Sequence, residues 1–599
     1  MAGTFLRRHS VQLLAAGAVL GVYLIASSVM PKDVFWNPDE GAKFLEMQSI
    51  RWQQGLTYVV PYPGRGLDPS WAFYPGRCDH RGLYPSPEPD GGVRFHWPIW
   101  FPLLSRVFYA LFGMVGIYVV PLLSGWLTAV VAGRWLAPRS PTLAPLATLL
   151  VGCATPVMFY SLCFFEHTLA TLLGTLAIGV LISSTPRRSS GAWAIAPLLF
   201  VSILLRLEMV AWTAALVVAW ALSGLAGRLW SVPRDDLRQR DWGGRRGWGF
   251  YAVGFCLLLV GVVAGARLLT PRHWELVRTL PRLSRDTLLK GHLLLPSVVN
   301  IFFGPLEFEQ RLPGWVWEIM LLAAMSAAVV APFVRSRRLE AMLIVPALLI
   351  LFESSVLMLL ASHAYLNRQG VLAVAPYLIV APYALADAWQ RRDHPLLRLA
   401  GTTACYAAIS FGVLFITRVA IDSTYLIGLD GAARYMLTLY PAGAVLALAA
   451  VQTYRRSDRS ALMRSTFTIL VAGLVGVSVL YQVRGLEMLH ISRTTRANWQ
   501  VALQREERVV TDVWWLATAL APYFTAHELY CIPRAQEPQD WTGAAAAHGV
   551  TSFTFASLDP VPADKFGVRV RAEGERRVEE LYLRRFLVAK PSLVPDAPP

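Results

Sequence analysis

Charge is scarce in this sequence: only 16% of the 599 residues are Asp, Glu, Lys or Arg, while 55% are hydrophobic, and the mean hydropathy is +0.45. That balance excludes a soluble globular protein of this size and points to a polytopic membrane protein. Acids are the scarcer charge, 39 against 55 Lys and Arg, which leaves a net +16. The excess is mostly arginine in short clusters between apolar runs, a distribution that orients membrane helices and argues against nucleic acid as a partner. Cysteine is sparse too. Its six copies form no CxxC and no Cys/His pattern, which argues against a zinc site or an iron–sulfur cluster. Cys153, Cys163, Cys256 and Cys405 lie in or beside apolar segments, as small core residues do. Cys78 and Cys531 fall in polar stretches that the topology below puts on one non-cytoplasmic side, where they are candidates for a disulfide.

What is present is a series of apolar runs near the ~20 residues needed to cross a bilayer. They lie at about 11–30, 114–136, 142–161, 166–184, 191–206, 208–227, 248–270, 313–334, 341–360, 371–389, 397–417, 435–454 and 465–483. The expected fold is therefore a polytopic α-helical membrane protein of about 13 spans. Arg7 and Arg8 precede the first run, as in a signal peptide, but its length and lack of a small-residue cleavage site favour a retained anchor. Arg134/Arg139, Arg187/Arg188, the Arg228–Arg246 loop, Arg335/Arg337/Arg338, Arg391/Arg392 and Arg455/Arg456/Arg459 then fall in alternate connections. Threading the spans in order puts them all on one side with Arg7 and Arg8, so the N-terminus is expected in the cytoplasm and the C-terminal segment outside.

Two outer parts stand out. The first loop, about 31–97, is long and rich in Tyr, Pro, Gly and Trp, which suits an ordered structure against the membrane. It runs into FHWPIWFPLLSRVFYALFG, whose apolar stretch 96–113 is short for a span and reads as a helix lying along the interface. From about 484 the apolar content falls. There DVWWLATALAPYF reads as helix, and HELYCI, VTSFTFAS and VEELYLRRFLVAK read as strands, giving a small α/β extramembrane domain. That tail has no P-loop, GxGxxG or GxSxG. The expected division is a membrane domain over 1–483, containing the outer loop with its interfacial helices at 31–113, and an extracytoplasmic domain over 484–599.

The stretch WNPDEGAKFLEMQ opens the first loop. Asn37 is a favoured N-cap, Pro38 suits the first helical position, and Asp39 and Glu40 suit the positive end of a helix dipole, with capping-box spacing from Asn37 to Glu40. Helix-start chemistry alone accounts for all four. It does not account for their place just outside the membrane, with Asp39 and Lys43 four apart on one face. A carboxylate beside a cation there could act as general base for an acceptor hydroxyl, and Lys43 could contact a phosphate.

Other polar residues fall on the same expected side: Glu166 and His167 at the start of the fourth span, Arg206 and Glu208 between the fifth and sixth, His363, Asn367 and Arg368 after the ninth, and Arg434 before the twelfth. Singly, each is as consistent with snorkelling or a helix-packing ion pair as with function. Together they describe a polar cavity suited to an anionic group. Charges gathered on one side, rather than at mid-membrane between interrupted helices, count against a transporter.

These residues resemble a known family. An acid pair after the first span (Asp39-Glu40), a basic residue soon after (Lys43), a long loop ending in FHWPIWFPLLSRVFYALFG and many further spans look like the GT-C superfamily of integral membrane glycosyltransferases. More specifically, the chain resembles the branch that holds protein O-mannosyltransferases, the lipid A aminoarabinose transferase and the RgtA/B/C/D-like enzymes, the last also similar at ARYMLTLYPAGAVLAL. The resemblance covers roughly 1–483. It implies a GT-C fold, a polyprenyl-phosphate sugar donor, and a hydroxyl or amine acceptor on an envelope lipid, glycan or protein. It implies Asp39 as general base, Glu40 in support, Lys43 at the donor phosphate, Glu166 as a second acid, and Arg368 or Arg434 at the leaving phosphate. His167, Arg206, Glu208 and His363 would line the cavity. The tail has no WWDYG-like signature, so a metal-dependent mechanism of the oligosaccharyltransferase type is not supported, and a divalent cation (magnesium or manganese) is left open. The Arg-, Ala- and Trp-rich composition with no secretory-pathway retention signal favours a bacterial inner membrane. The competing readings are a lipid-linked carrier or flippase without chemistry, and a membrane scaffold whose tail binds envelope partners.

Overall fold

The computed structural model describes residues 2–52, 56–58, 60, 62–75, 98–183, 194–206, 208–229, 302, 314–361, 370–391, 393–421, 432–532, 538–566 and 570–588. The fold is mostly helical. Among the described residues five helical stretches are long and apolar enough to cross a membrane: Ser10–Ser28, Trp100–Leu136, Val316–Phe333, Arg337–Leu360 and Ala461–Leu503. Shorter apolar helices lie at Ala144–Cys153, His167–Ile182, Ile195–Leu205 and Met209–Ala219. This is the make-up of an integral membrane protein. The run expected at 248–270 lies outside the described residues.

Three expected spans differ in detail. The run at 142–161 is two helices, Ala144–Cys153 and Val157–Tyr160, parted at Thr155 and Pro156. The run at 371–389 is a turn of helix, Val371–Val374, then a 3-10 segment Pro376–Val380, then a helix Ala381–Arg391. In both, proline supplies no N–H to the preceding turn and pushes the residue before it out of the helical region. The last span, expected to end at 483, belongs to a helix of 43 residues, Ala461–Leu503.

The chain forms two compact units, Met1–Ser27 with Val120–Leu486, and Ser28–Val119 with Glu487–Pro599. The second grouping puts the first loop and the tail in one unit, a different division from a boundary at 483/484. In the first unit the N-terminal helix is tied by polar side chains in an apolar setting: Gln12 Nε2 donates to Thr148 Oγ1 at 2.8 Å, Tyr23 OH to the Gly152 carbonyl at 3.0 Å, and Trp126 Nε1 to the Ala16 carbonyl at 2.9 Å. Loops expected on the arginine-rich side meet there. Arg139 forms a two-point pair with Asp393 at 3.1 Å, Arg337 reaches Asp458 at 3.1 Å, and Arg459 holds the buried Glu340 at 2.6 Å.

The second unit is built on a five-stranded sheet. Its strands follow a hairpin of β1 (Ile50–Trp52) and β2 (Leu56–Tyr58) and are β3 (Arg508–Thr511), β4 (Glu528–Cys531), β5 (Ser552–Ser557), β6 (Val570–Val578) and β7 (Leu581–Val588), in the order β4-β3-β5-β7-β6. β4, β3 and β5 are parallel, and β7 and β6 add as an antiparallel hairpin. Phe553, Phe566 and Phe586 pack on one another with centroids 4.8–5.5 Å apart and form an aromatic core. The helix expected over DVWWLATALAPYF is two short ones, Leu516–Ala519 and Ala521–Phe524, with Pro522 at the start of the second. From the first loop, the buried Asp68 accepts from Tyr62 OH, Ala72 N and Phe73 N, and the Phe73 carbonyl accepts from Cys531 N at 2.8 Å. The helix Trp100–Phe112 ends at Gly113, whose φ of +60° is a conformation glycine adopts without strain, and a 3-10 segment carries the chain to Tyr118.

Candidate active site

The helix Pro38–Ser49 starts where the sequence places it. Asn37, extended at φ −133° and ψ 140°, accepts the Asp39 backbone N–H at its side chain at 2.7 Å. Glu40 reaches back as in a capping box, but one residue further: its Oε2 accepts from Trp36 N at 3.1 Å. Asp39 is half-buried, whereas Glu40 and Lys43 are buried. Burial of two charged side chains in the first turns is costly unless they are held by partners.

For Glu40 the partner is Arg493. Nη2 of Arg493 donates to Oε1 of Glu40 at 3.2 Å, and neither side chain is exposed at all. Both carboxylate oxygens are thus engaged, one by a guanidinium and one by backbone, a geometry for anchoring rather than for proton transfer. The Arg493 guanidinium also lies 4.8 Å from the Tyr118 ring centroid and contacts Met30 Sδ. Lys32 Nζ is 5.0 Å from the same ring. Burial, and secondarily the Arg493 charge, pull the Lys32 amine down to about 8. Arg496 donates to the Phe35 carbonyl and stacks 5.1 Å over Trp515.

The membrane unit carries the second group of sequence candidates. Arg206 Nη1 is 3.0 Å from Glu166 Oε1 and Nη2 is 2.5 Å from Glu208 Oε1, and Nη1 also lies against the His167 ring nitrogens at 2.6 and 2.8 Å. Tyr160 stacks on His167 at 5.2 Å with 4° between planes. Arg434 sits 4.9 Å from the Tyr435 ring, which Arg206 also faces at 5.9 Å. The hydroxyls of Tyr160 and Tyr440, both fully buried, find no hydrogen-bond partner among the described residues. Glu166, His167, Arg206, Glu208 and Arg434 are therefore one neighbourhood. His363, Asn367 and Arg368 lie outside the described residues. Among the described residues no three His, Cys, Asp or Glu side chains are gathered as for a metal ion.

Arg493, Arg496, Tyr118 and Lys32 were not singled out from sequence. A signal for the first two exists: Leu489, Arg493, Arg496, Trp499 and Leu503 recur every three to four residues and are all buried, one face of a helix that continues past the last apolar run. Cys531 is disulfide-bonded, while Cys153, Cys163 and Cys405 are not in disulfides. Its expected partner, Cys78, lies outside the described residues.

No family model matches the chain, and no curated protein matches it. Among solved structures it is similar to ArnT from Cupriavidus metallidurans bound to undecaprenyl phosphate, with a TM-score of 0.40 and 14% identity over 96% of this chain and 97% of that one. It is also similar to the same protein in the apo state, with a TM-score of 0.39 and 16% identity over 95% of this chain and 97% of that one.

Proposed function

We propose that this membrane protein is a glycosyltransferase of the GT-C kind, moving a sugar from a polyprenyl-phosphate donor to a hydroxyl or amine on a lipid, glycan or protein acceptor. The observation that carries this reading is Asp39 in the first turn of the helix that opens the first loop, with Lys43 one turn on and the adjacent Glu40 pinned by a buried arginine. Asp39 takes the acceptor proton as the acceptor attacks the anomeric carbon. The bond from that carbon to the phosphate oxygen breaks, polyprenyl phosphate departs, and the single displacement inverts the anomeric centre. Charge grows on the leaving phosphate, so fixed cations lower the barrier; Lys43, Arg434 and Arg368 are the residues proposed for that task. Glu166 is the proposed second acid, and His167, Arg206, Glu208 and His363 are the residues proposed to line the cavity.

The membrane topology that goes with this reading has thirteen spans, a cytoplasmic N-terminus and a periplasmic tail in a bacterial inner membrane. The test is transfer of label from a radiolabelled polyprenyl-phosphate hexose or pentose by the purified protein, with membrane extract as acceptor source. Label must move into acceptor material and free polyprenyl phosphate must appear. Movement of the lipid-linked sugar across liposomes with no bond cleavage would instead establish a carrier.

A further inference from the structure

The helix that carries Asp39 and the residue Phe35 that leads into it are held from outside the first loop at four points, two on each. Glu40 is paired with Arg493 in full burial. Phe35 N donates to the Ala519 carbonyl at 3.0 Å, and Arg496 donates to the Phe35 carbonyl. Gly41 lies against Thr518 so closely that a Cβ there would fall 1.7 Å from the Thr518 carbonyl oxygen. Thr518 and Ala519 belong to the short helix Leu516–Ala519 that follows β3, so the segment gripping the Asp39 helix is set by the sheet. Backbone thus packs on backbone on one side of the helix, with a charged latch beside it.

A buried ion pair adds little net stability compared with apolar side chains of the same volume, but it fixes register, because a charge inserted at any other depth or rotation is unpaired. Successive helical residues point about 100° apart. Locking Glu40 inward therefore aims Asp39 onto the neighbouring, half-buried face, and any turn of the helix that released Glu40 would carry Asp39 with it.

We propose that the described residues 487–532 are the platform that positions the Asp39 helix, and that Arg493 is the positioning residue of the transfer step. This rests on the glycosyltransferase reading for its catalytic consequence; the structural part stands apart from it. The experiment compares full-length native protein, Arg493→Met, Arg493→Lys and the double variant Glu40→Gln/Arg493→Met, with Asp39→Asn alongside. Transfer kinetics and hydrogen exchange of the amides of residues 40–49 are measured on each. The double variant keeps an acceptor for Trp36 N–H and leaves no unpaired charge, so it reports even if Arg493→Met fails to fold. Expected are a kcat about a hundredfold lower in both Met variants with donor KM within about twofold, partial recovery in Arg493→Lys, and faster exchange confined to the helix. If Asp39→Asn abolishes transfer while the Arg493 variants keep native kcat and native exchange, the positioning role is wrong and the function stands. If Asp39→Asn transfers normally the function falls, and the exchange data alone decide whether the platform is real.

Discussion

Glu40 and Arg493 are 453 residues apart in sequence and meet in an ion pair that no solvent touches. Removing one partner of such a pair strands the other charge, at a cost of about 3–5 kcal/mol, whereas neutralising both costs far less. Arg493→Met is therefore expected to lower the thermal unfolding midpoint of the detergent-solubilised protein markedly, and Glu40→Gln/Arg493→Met to recover most of the loss. Equal destabilisation by the single and double variants would contradict the pairing.

Gly41 gives a second, purely steric test. Gly41→Ala forces a methyl into the Thr518 backbone, which has no flexible end to move aside, so the helix must shift at a cost of about 1–3 kcal/mol. Gly574→Ala, in open space in the same unit, is expected to leave midpoint and transfer unchanged. The check is the pair of melting curves; a Gly41→Ala protein as stable and active as Gly574→Ala would show that the close approach does not constrain the helix.

In the membrane unit, Arg206 holds Glu166, which is buried, and Glu208, which is about one-third exposed. Arg206→Met is expected to destabilise by about 3–5 kcal/mol, because the buried Glu166 loses its guanidinium partner. Glu208→Gln removes only a solvent-screened contact and is expected to cost less than about 1 kcal/mol. Unfolding midpoints rank the two, and the reverse order would overturn the assignment of Arg206 as the hub.

Lys32 titrates at about 8 in the native protein and near 10.4 unfolded, so between those values the unfolded chain binds more protons and native stability rises with pH. The penalty of burying its charge is fully present below about 8 and is gone above the unfolded value. With only five lysines in the chain, carbon-13 dimethyl labelling resolves each by NMR. One signal is expected to titrate near 8, to vanish in Lys32→Met, and to move to higher pH in Arg493→Met, where a neighbouring like charge is lost.

Cys531 is disulfide-bonded and is expected to be joined to Cys78, because both fall in polar stretches on the same expected outer side whereas Cys256 falls in an apolar run. Non-reducing peptide mapping should give that linked pair, which would also put both residues in an oxidising compartment. A linkage to any other cysteine would break the expected shared side.

The start of the Asp39 helix was legible because capping is local: Asn37, Pro38 and Glu40 announce it within four residues. The strands HELYCI, VTSFTFAS and the LYLRRFLV part of the last stretch were legible from β-branched and aromatic residues, and they appear as β4, β5 and β7. β6, VRAEGERRV, was not, because it is an edge strand with an exposed polar surface and lacks alternation. Arg493 was hidden for another reason. Its helix outlasts the apolar run by some twenty residues, and what makes it important is a partner at position 40 that no local pattern reveals. The gathering of Glu166, His167, Arg206, Glu208 and Arg434 was anticipated from their shared side of the threaded spans, but the hub role of Arg206 depends on side-chain reach.

The central claim is that Asp39 activates the acceptor. Its most direct test is the rate of label transfer from a polyprenyl-phosphate sugar by Asp39→Asn, which keeps shape and helix cap but cannot accept a proton. The account predicts a fall of at least about a hundredfold in kcat, with donor binding and the unfolding midpoint essentially native. Transfer at the native rate would reduce the stretch around Asp39 to a helix start and contradict the account.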